Sequence, residues 1–356
     1  MTNLHQENDN IVTLIKAVGI FLMVWGHVVS SNTITSKVIF AFHMPLFFIM
    51  SGYCFKEKYL DDAKQFVIRK IKGIYVPFIL FSLPYLAMHN ILCTWNVYDP
   101  EWLYGWKDFA WDTGRIVTRM SHNEGLLGTF WFLKELFWGN IIFYFTYKLS
   151  KGRLLPTVIG LFLLTELFAI FKLQIPYFTI GQRSFYAAFF ISFGYLWKKL
   201  EWKVNKWWVW VLAIIGLVTE LYLTNGLSMQ DLSPLNLTLY AIPAILATMM
   251  VFNTCEIVEP HLQCNIKDMA LFAGNHTLSI MALHFTAFKM VSLIYIKVFD
   301  LPISRLVDFP VIADFAKTWW GAIGYMIGGM VLPLCCAWIW MQMKEKILLW
   351  RQKEEK

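Results

Sequence analysis

The sequence predicts an all-α fold, a polytopic bundle of about ten membrane-spanning helices with both termini in the cytoplasm. Of its 356 residues, 58% are hydrophobic and 15% are charged, whereas a soluble domain is about half apolar and about a quarter charged. Such an apolar surplus needs lipid as its outer solvent, and about 20 apolar residues cross a bilayer as a helix. Ten stretches of this kind occur, at 11–30, 37–55, 74–93, 126–149, 154–171, 178–197, 207–225, 236–255, 271–297 and 320–341.

The basic residues are unevenly distributed between the two sides of this predicted bundle. If the N-terminus is cytoplasmic and the connections alternate, the cytoplasmic segments carry nineteen Lys and Arg residues and the opposite segments carry seven. Cytoplasmic loops of membrane proteins are enriched in Lys and Arg, so we expect a multi-pass protein of the cell membrane. The net charge of +7 then reflects topology, and no nucleic-acid partner is expected.

The whole chain, residues 1–356, is predicted to be one membrane-embedded domain. It shows no internal repeat, low-complexity tract or separate soluble domain. The longest predicted connection is an outer loop at about 94–125, and residues 343–356 form a basic cytoplasmic tail. An outer loop of this length is too short for a usual domain.

The six cysteines carry no metal-binding or disulfide motif. Cys335 and Cys336 are adjacent, while Cys255 and Cys264 are too far apart for a CxxC motif. We therefore expect free thiols, no metal site and no permanently bound cofactor.

Ionisable residues inside the apolar stretches are the main functional signal, because each costs about 2.5–3.5 kcal/mol on insertion scales. Lys16 and His27 are eleven residues apart in the first stretch. A helix places them about 20° apart around its axis and about 16 Å apart along it. They would line one face at two depths, with Lys16 nearer the cytoplasm. A snorkelling lysine and a packed, hydrogen-bonded histidine would give the same pattern.

The second stretch, "FAFHMPLFFIMSGYCF", is interrupted by polar and helix-perturbing residues. His43 enters from the outer side, Pro45 removes a backbone donor and favours a kink, and Gly52 permits close backbone approach. Because the link between the first two helices is short, we expect His27 and His43 near each other in the outer half of the membrane.

A basic cluster opens the third stretch, in "FVIRKIKGIYVPF". Arg69 and Lys72 are three residues apart and can share a helix face, with Lys70 between them. The cluster fits ordinary anchoring at the cytoplasmic surface. It equally fits a clamp for the phosphates of a cytoplasmic ligand.

The fourth stretch begins "GTFWFLKELFW", where Trp131 and Glu135 are one helical turn apart. Glu135 would either orient an imidazole or form an ion pair with Arg183, which lies in the outer half of the sixth stretch. His284 lies near mid-membrane. Its side chain would either face a cavity shared with these residues or be buried with its hydrogen bonds satisfied. The residues leave both pairs of alternatives open.

Together these residues resemble the acyltransferase 3 family of integral-membrane O-acyltransferases. The resemblance rests on "KAVGIFLMVWGH", "FHMPLFFIMSGY", "RKIKGIYVPF" and "FWFLKELFW", and ten helices over the whole chain also fit. Within the family, the sequence looks nearest to fucose-4-O-acetylase-like sugar acetyltransferases. The resemblance implies O-acyl transfer, with acetyl as the expected group, from cytoplasmic acyl-CoA to a hydroxyl of a cell-surface or lipid-linked glycan such as an exopolysaccharide.

The resemblance also implies roles for individual residues. His27 is the candidate catalytic histidine, and Lys16, Arg69 and Lys72 are candidate cations of the donor site. Lys16 stands where the family usually has Arg, and Arg69 with Lys72 stands for its Arg-x-x-Arg pair. Both changes keep the charge and lose bidentate geometry, so donor binding would be weaker or differently arranged.

The implied reaction needs a grip on the donor, a base for the acceptor hydroxyl and a dry site for the oxyanion. An imidazole is the usual base near neutral pH, so His27 is expected to be the base, oriented by Glu135 or His43. The remaining candidates are the donor-binding cations Lys16, Arg69, Lys70 and Lys72 and the acceptor contacts Trp131, Arg183 and His284.

Two other classes fit parts of the pattern. A transporter or flippase for a polar or glycan substrate would also have buried charges and a proline-kinked helix, but the chain shows no inverted repeat and its basic clamp lies on one side. A sensor or structural membrane subunit is a weaker alternative. In the outer loop, Trp102 and Trp106 would belong to an interfacial helix or gather the acceptor. Homo-oligomer formation is left open.

Overall fold

The computed structural model describes residues 2–30, 32–202, 206–230 and 236–354, with side chains between residues 9 and 347. The described chain is an all-α bundle, which confirms the predicted fold class. The predicted basic tail continues the last helix, and its side chains beyond residue 347 lie outside the described residues.

The described chain contains fourteen α-helices. They are α1 (Thr2–Val28), α2 (Ile34–Tyr53), α3 (Ala63–Lys70), α4 (Val76–Thr94), α5 (Trp106–Arg119), α6 (Trp131–Leu149), α7 (Leu154–Ile170), α8 (Gln182–Lys199), α9 (Trp207–Thr224), α10 (Leu237–Val258), α11 (Cys264–Asn275), α12 (Thr277–Val298), α13 (Ala313–Ala316) and α14 (Trp319–Glu354). Short 3₁₀ turns lie at Glu57–Tyr59, Gly125–Phe130, Glu259–His261 and Ile303–Val307, a π-helical turn at Ile71–Tyr75, and an antiparallel strand pair at β1 (Gln174–Ile175) and β2 (Ile180–Gly181).

Seven helical segments of the described chain are long and apolar enough to cross a membrane. They are Asp9–Val28, Ile34–Tyr53, Ala63–Thr94, Trp207–Thr224, Leu237–His261, Thr277–Val298 and Trp319–Ile347. The other three predicted stretches correspond to α6, α7 and α8, which are not among these seven. A multi-pass helical bundle is therefore confirmed, while ten crossings and their orientation stay predictions.

The helix that contains the third apolar stretch begins earlier than the stretch itself. The predicted segment starts at 74, but α3, the π turn and α4 form one continuous helical segment, Ala63–Thr94. Arg69 and Lys70 therefore lie on a helix, and Lys72 lies in the π turn. The i→i+5 bonds of a π turn alter the facing of residues three apart, so spacing alone does not place Arg69 and Lys72 on one face.

Two glycines let α2 and α8 cross in backbone contact. A Cβ atom on Gly52 would overlap the carbonyl oxygen of Ile191, and one on Gly194 would overlap the carbonyl oxygen of Ile49. Small residues allow such close approach between membrane helices. The expectation that Gly52 permits close approach is confirmed, and the crossing fixes α2, which carries His43, against α8.

Helices at the centre and periphery differ in how much of their surface the protein covers. In α2 and α12, 61% of the apolar window is buried, compared with 22% in α9 and 28% in α14. The short link between α1 and α2 makes them neighbours, as predicted, and Gly26 lies against Phe40 at their contact. The central helices α1, α2, α6 and α12 surround the cavities described next.

Candidate active site

A cavity of about 400 Å³ lies between the ends of α1 and α2, the 3₁₀ turn Gly125–Phe130, the start of α6, the 226–230 segment and α12. Its walls include His27, His43 and Trp131. We call it the outer cavity. Its volume falls within the range of small-ligand sites, about 300–1,000 Å³. The structure thus places both predicted outer histidines in one cavity.

His27 is the most accessible of the central imidazoles. Its ring centroid lies 4.9 Å from that of Phe285, 5.5 Å from that of His284 and 5.7 Å from that of Phe40. Among the described residues, no hydrogen-bond partner occupies either ring nitrogen of His27. Within the described chain the ring is positioned by packing, which leaves its nitrogens available to a substrate.

His43 and His284 are buried and held by backbone carbonyls. The Nδ1 atom of His43 lies 2.8 Å from the carbonyl oxygen of Ile39, and that of His284 lies 3.1 Å and 3.0 Å from the carbonyl oxygens of Ile280 and Met281. A carbonyl only accepts, so Nδ1 donates and the lone pair of each neutral ring is on Nε2. His284 Nε2 has no partner within the described chain, and its ring stacks against His27.

A second cavity of about 360 Å³ lies on the Lys16 side of the bundle. Its mostly apolar walls include Lys16, Ser51 and Cys54, and we call it the inner cavity. Met44 is the one described residue that lines both cavities. One helix face suggested that Lys16 and His27 would line the same cavity. They line two different cavities, and Met44 is a wall residue of both.

The basic cluster lies beside the inner cavity rather than in its wall. Arg69 is exposed, donates to the hydroxyl of Tyr59 at 3.0 Å and covers the ring of Tyr59. Lys70 is half-buried and lies 5.3 Å from the ring centroid of Phe66, while Lys72 is exposed. Of the same helical segment, the π-turn residues Gly73 and Ile74 line the inner cavity. π turns occur frequently at functional sites.

Trp131 and Glu135 have different surroundings although they are one turn apart. Trp131 lines the outer cavity. Glu135 is buried and accepts a 2.5 Å hydrogen bond from the Ser184 hydroxyl at the start of α8. Among the described residues, no hydrogen bond joins Glu135 to His27, and no ion pair joins Glu135 to Arg183. The packing of α6 on α8 thus gives the Glu135 carboxylate a hydrogen-bond partner, and that partner is Ser184.

Arg183 contacts two residues that line the outer cavity. Its guanidinium lies 5.9 Å from the ring centroid of Trp131 and donates to the carbonyl oxygen of Gln230 at 2.6 Å. Both Trp131 and Gln230 line the outer cavity. Arg183 therefore supports the wall next to Trp131.

A buried pair that we did not single out in the sequence anchors another wall. His89 and Glu124 are fully buried, with Nδ1 and Oε1 3.1 Å apart, and His89 Nε2 donates to the carbonyl oxygen of Trp102 at 2.8 Å. Burial raises the pKa of Glu124, and the charge of His89 opposes that rise. Glu124 directly precedes the turn whose Thr129 lines the outer cavity. The sequence does contain a signal for this pair, because His89 is an ionisable residue inside the third apolar stretch.

The outer-loop tryptophans do not form the predicted pair. α5 begins at Trp106, so Trp102 precedes the helix and the two do not share a helix face. Trp106 is 76% exposed, and neither tryptophan lines the outer or the inner cavity. Trp102 instead helps hold His89 through its carbonyl oxygen.

A multi-pass helical bundle with an imidazole in a central cavity defines an integral-membrane protein with a candidate catalytic chamber. Over residues 9–339, the chain matches the family Acyl_transf_3, described as an acyltransferase domain. The match covers nearly the whole chain, so the protein belongs to this family and is a membrane acyltransferase. No curated protein and no solved structure matches the chain. The family resemblance is confirmed, and the transporter alternative gives way to the enzyme.

Proposed function

We propose that the protein moves a short acyl group, acetyl in the first place, from cytoplasmic acyl-CoA to a hydroxyl of a cell-surface or lipid-linked glycan. The supporting observation is that the imidazole of His27, which has no hydrogen-bond partner among the described residues, lines an outer cavity that shares the wall residue Met44 with an inner cavity. In this scheme the protein acts in the cell membrane with both termini in the cytoplasm. The proposed subtype within the family is a fucose-4-O-acetylase-like sugar acetyltransferase.

The donor would reach the reaction through the inner cavity. Its apolar walls suit the uncharged arm of a coenzyme thioester, and Lys16 supplies a cation within the cavity. Arg69, Lys70 and Lys72 lie on the helical segment that carries Gly73 into the cavity wall, where they would bind the phosphates at the surface. The thioester carbonyl would then lie beside Met44, at a neck that would join the two cavities.

The acceptor would occupy the outer cavity. Sugars dock on flat aromatic faces, and Trp131 offers such a face in the wall. The acceptor hydroxyl attacks the thioester carbonyl carbon while His27 takes its proton. When the tetrahedral intermediate collapses, the carbon–sulfur bond breaks and the imidazolium of His27 returns the proton to the departing thiolate.

The neighbouring histidines would assist His27 as neutral rings. His284 stacks on His27, and His43 lines the same cavity with its Nδ1 proton bonded to Ile39. His43 thus keeps its proposed positioning role, whereas Glu135 contributes to the packing of α6 on α8. A water-poor chamber makes each fixed dipole more effective than it would be in water.

The test is transfer by the purified protein in detergent, using labelled acetyl-CoA and glycans extracted from host cells that lack this protein. Replacing His27 by Ala should lower transfer about 10²- to 10⁴-fold, the usual contribution of a general base. His261→Gln is the matched control, because His261 is exposed and lines neither cavity. Transfer by a well-folded His27→Ala protein at the wild-type rate would exclude His27 as the base.

A further inference from the structure

The outer cavity carries a lysine that is held in place by a dedicated contact. Lys37 lines the cavity near the start of α2, and its Nζ atom donates to Oδ1 of Asn225 at 2.7 Å. Asn225 ends α9 in the left-handed conformation with φ of 62°, and Gly226 follows with φ of 94°. A Cβ on Gly226 would lie 2.9 Å from Cβ and Cγ of Lys37. The segment after α9 therefore lies along the lysine stem because residue 226 has no side chain.

A second cation approaches the same wall from α8. The guanidinium of Arg183 covers Trp131 and is tied to the carbonyl oxygen of Gln230. Lys37 contacts one end of the 225–230 segment and Arg183 contacts the other. Each keeps N–H donors beyond those used in these bonds, because an ammonium has three and a guanidinium has five.

The positive charge has no compensating carboxylate in the described part of the site. No described residue that lines the outer cavity is Asp or Glu. Across the described chain, the ion pairs of the structure involve neither Lys37 nor Arg183. Among the described residues, the lining of the outer cavity therefore carries positive charge without an acidic residue. A ligand anion would supply the missing partner.

We propose that the acceptor glycan is anionic and that Lys37, with Arg183, binds a carboxylate or phosphodiester group on or next to the acylated sugar. The proposal rests on the proposed function, because it describes the acceptor of that reaction. The cavity of about 400 Å³ also contains His27. The bound charge would therefore lie near the reacting hydroxyl, and charge recognition would select the acceptor.

Pairs of acceptors that differ only in charge test this proposal. The first pair is a pool of uronate-containing oligosaccharides and the same pool after carboxyl reduction. The second is a pool of phosphodiester-linked oligosaccharides and the same pool after phosphodiester cleavage. Wild-type enzyme should acetylate at least one charged pool with kcat/KM about 10- to 100-fold above its neutral counterpart, the usual effect of a charged hydrogen bond. The pool that is preferred identifies the anion.

Variants of Lys37 connect this selectivity to the residue. Lys37→Met should raise KM for the charged pool about 10- to 100-fold while kcat and KM for acetyl-CoA stay unchanged. Lys37→Arg should restore most of the affinity, and Lys172→Met, an exposed lysine that lines neither cavity, should have no effect. None of these three substitutions should change KM for the neutral pool.

The outcomes separate this proposal from the function on which it rests. Equal acetylation of charged and neutral pools, or an unchanged KM in Lys37→Met, would overturn the anionic acceptor and leave the acyltransferase reaction intact. Acetylation of the neutral pools alone would do the same. If no pool is acetylated and His27→Ala leaves acetyl-CoA turnover unchanged, the proposed function falls, and the anionic acceptor falls with it.

Discussion

Met44 should control the length of the acyl group that the enzyme accepts. Its side chain is 5% exposed, and among the described residues it alone lines both the inner and the outer cavity. In the proposed reaction the thioester carbonyl lies at this neck, so the acyl chain would press against the Met44 side chain. Replacing Met44 by Ala removes three heavy atoms and leaves space beside the acyl group.

The size of the effect follows from burial of methylene groups. Each buried methylene contributes about 0.8 kcal/mol, which is roughly fourfold in kcat/KM. If the vacated space accepts two methylenes, Met44→Ala should raise the kcat/KM ratio of butyryl-CoA to acetyl-CoA about 15-fold. The substitution should also destabilise the protein by about 2–5 kcal/mol, so thermal stability must be measured on each variant.

The assay is acyl transfer by purified enzyme with acetyl-, propionyl- and butyryl-CoA. Met44→Leu conserves volume and should keep a ratio close to wild type. Met249→Ala is the matched control, because Met249 is 8% exposed and lines neither cavity. A folded Met44→Ala enzyme with an unchanged butyryl-to-acetyl ratio would refute a thioester at the Met44 neck.

Three further substitutions test other parts of the structure. Lys16→Met should raise KM for acyl-CoA about tenfold with little change in acceptor KM; equal loss for both substrates would place Lys16 outside the donor site. Glu124→Ala should cost about 3–5 kcal/mol of stability by leaving His89 buried without its partner, as thermal unfolding would show. Burial raises the pKa of Glu124. Its contribution to the free energy of unfolding should therefore be largest below its ordinary pKa of about 4.3 and fall as pH rises through the raised pKa. Glu124→Gln cannot ionise, so it should flatten the dependence of stability on pH over that range. Gly194→Ala should prevent stable folding by driving α8 from the Ile49 carbonyl, whereas Gly160→Ala, where a Cβ meets nothing within 4 Å, should be tolerated; a stable Gly194→Ala protein would contradict the close crossing.

The fold could be predicted from the sequence because long apolar runs have few alternatives to membrane helices. The helix that contains the third apolar stretch begins earlier than that stretch, for a physical reason. α3 contains Lys64, Arg69 and Lys70, so hydropathy does not reveal that it continues through the π turn into α4. The strand pair β1–β2 was also missed, since two-residue strands leave almost no periodic signal.

The site could be predicted only where local geometry determines it. His27 and His43 reach one cavity because a short connection makes α1 and α2 adjacent. The position of Glu135 depends on which face of α6 meets α8, and sequence spacing does not determine that. Lys37 acquires its contact from Asn225, 188 residues away. Such long-range contacts are invisible to patterns read within single helices.

The most direct test of the central claim is transfer across a sealed membrane. Proteoliposomes would carry the host-derived glycan acceptor in the lumen and receive labelled acetyl-CoA only from outside. If the inner and outer cavities form one path through Met44, label should appear on the enclosed acceptor with the wild-type protein and be lost with His27→Ala. A matched sample would carry the acceptor outside, on the acetyl-CoA side. Label on the enclosed glycan with His27→Ala, or wild-type transfer to the outside acceptor only, would contradict the account.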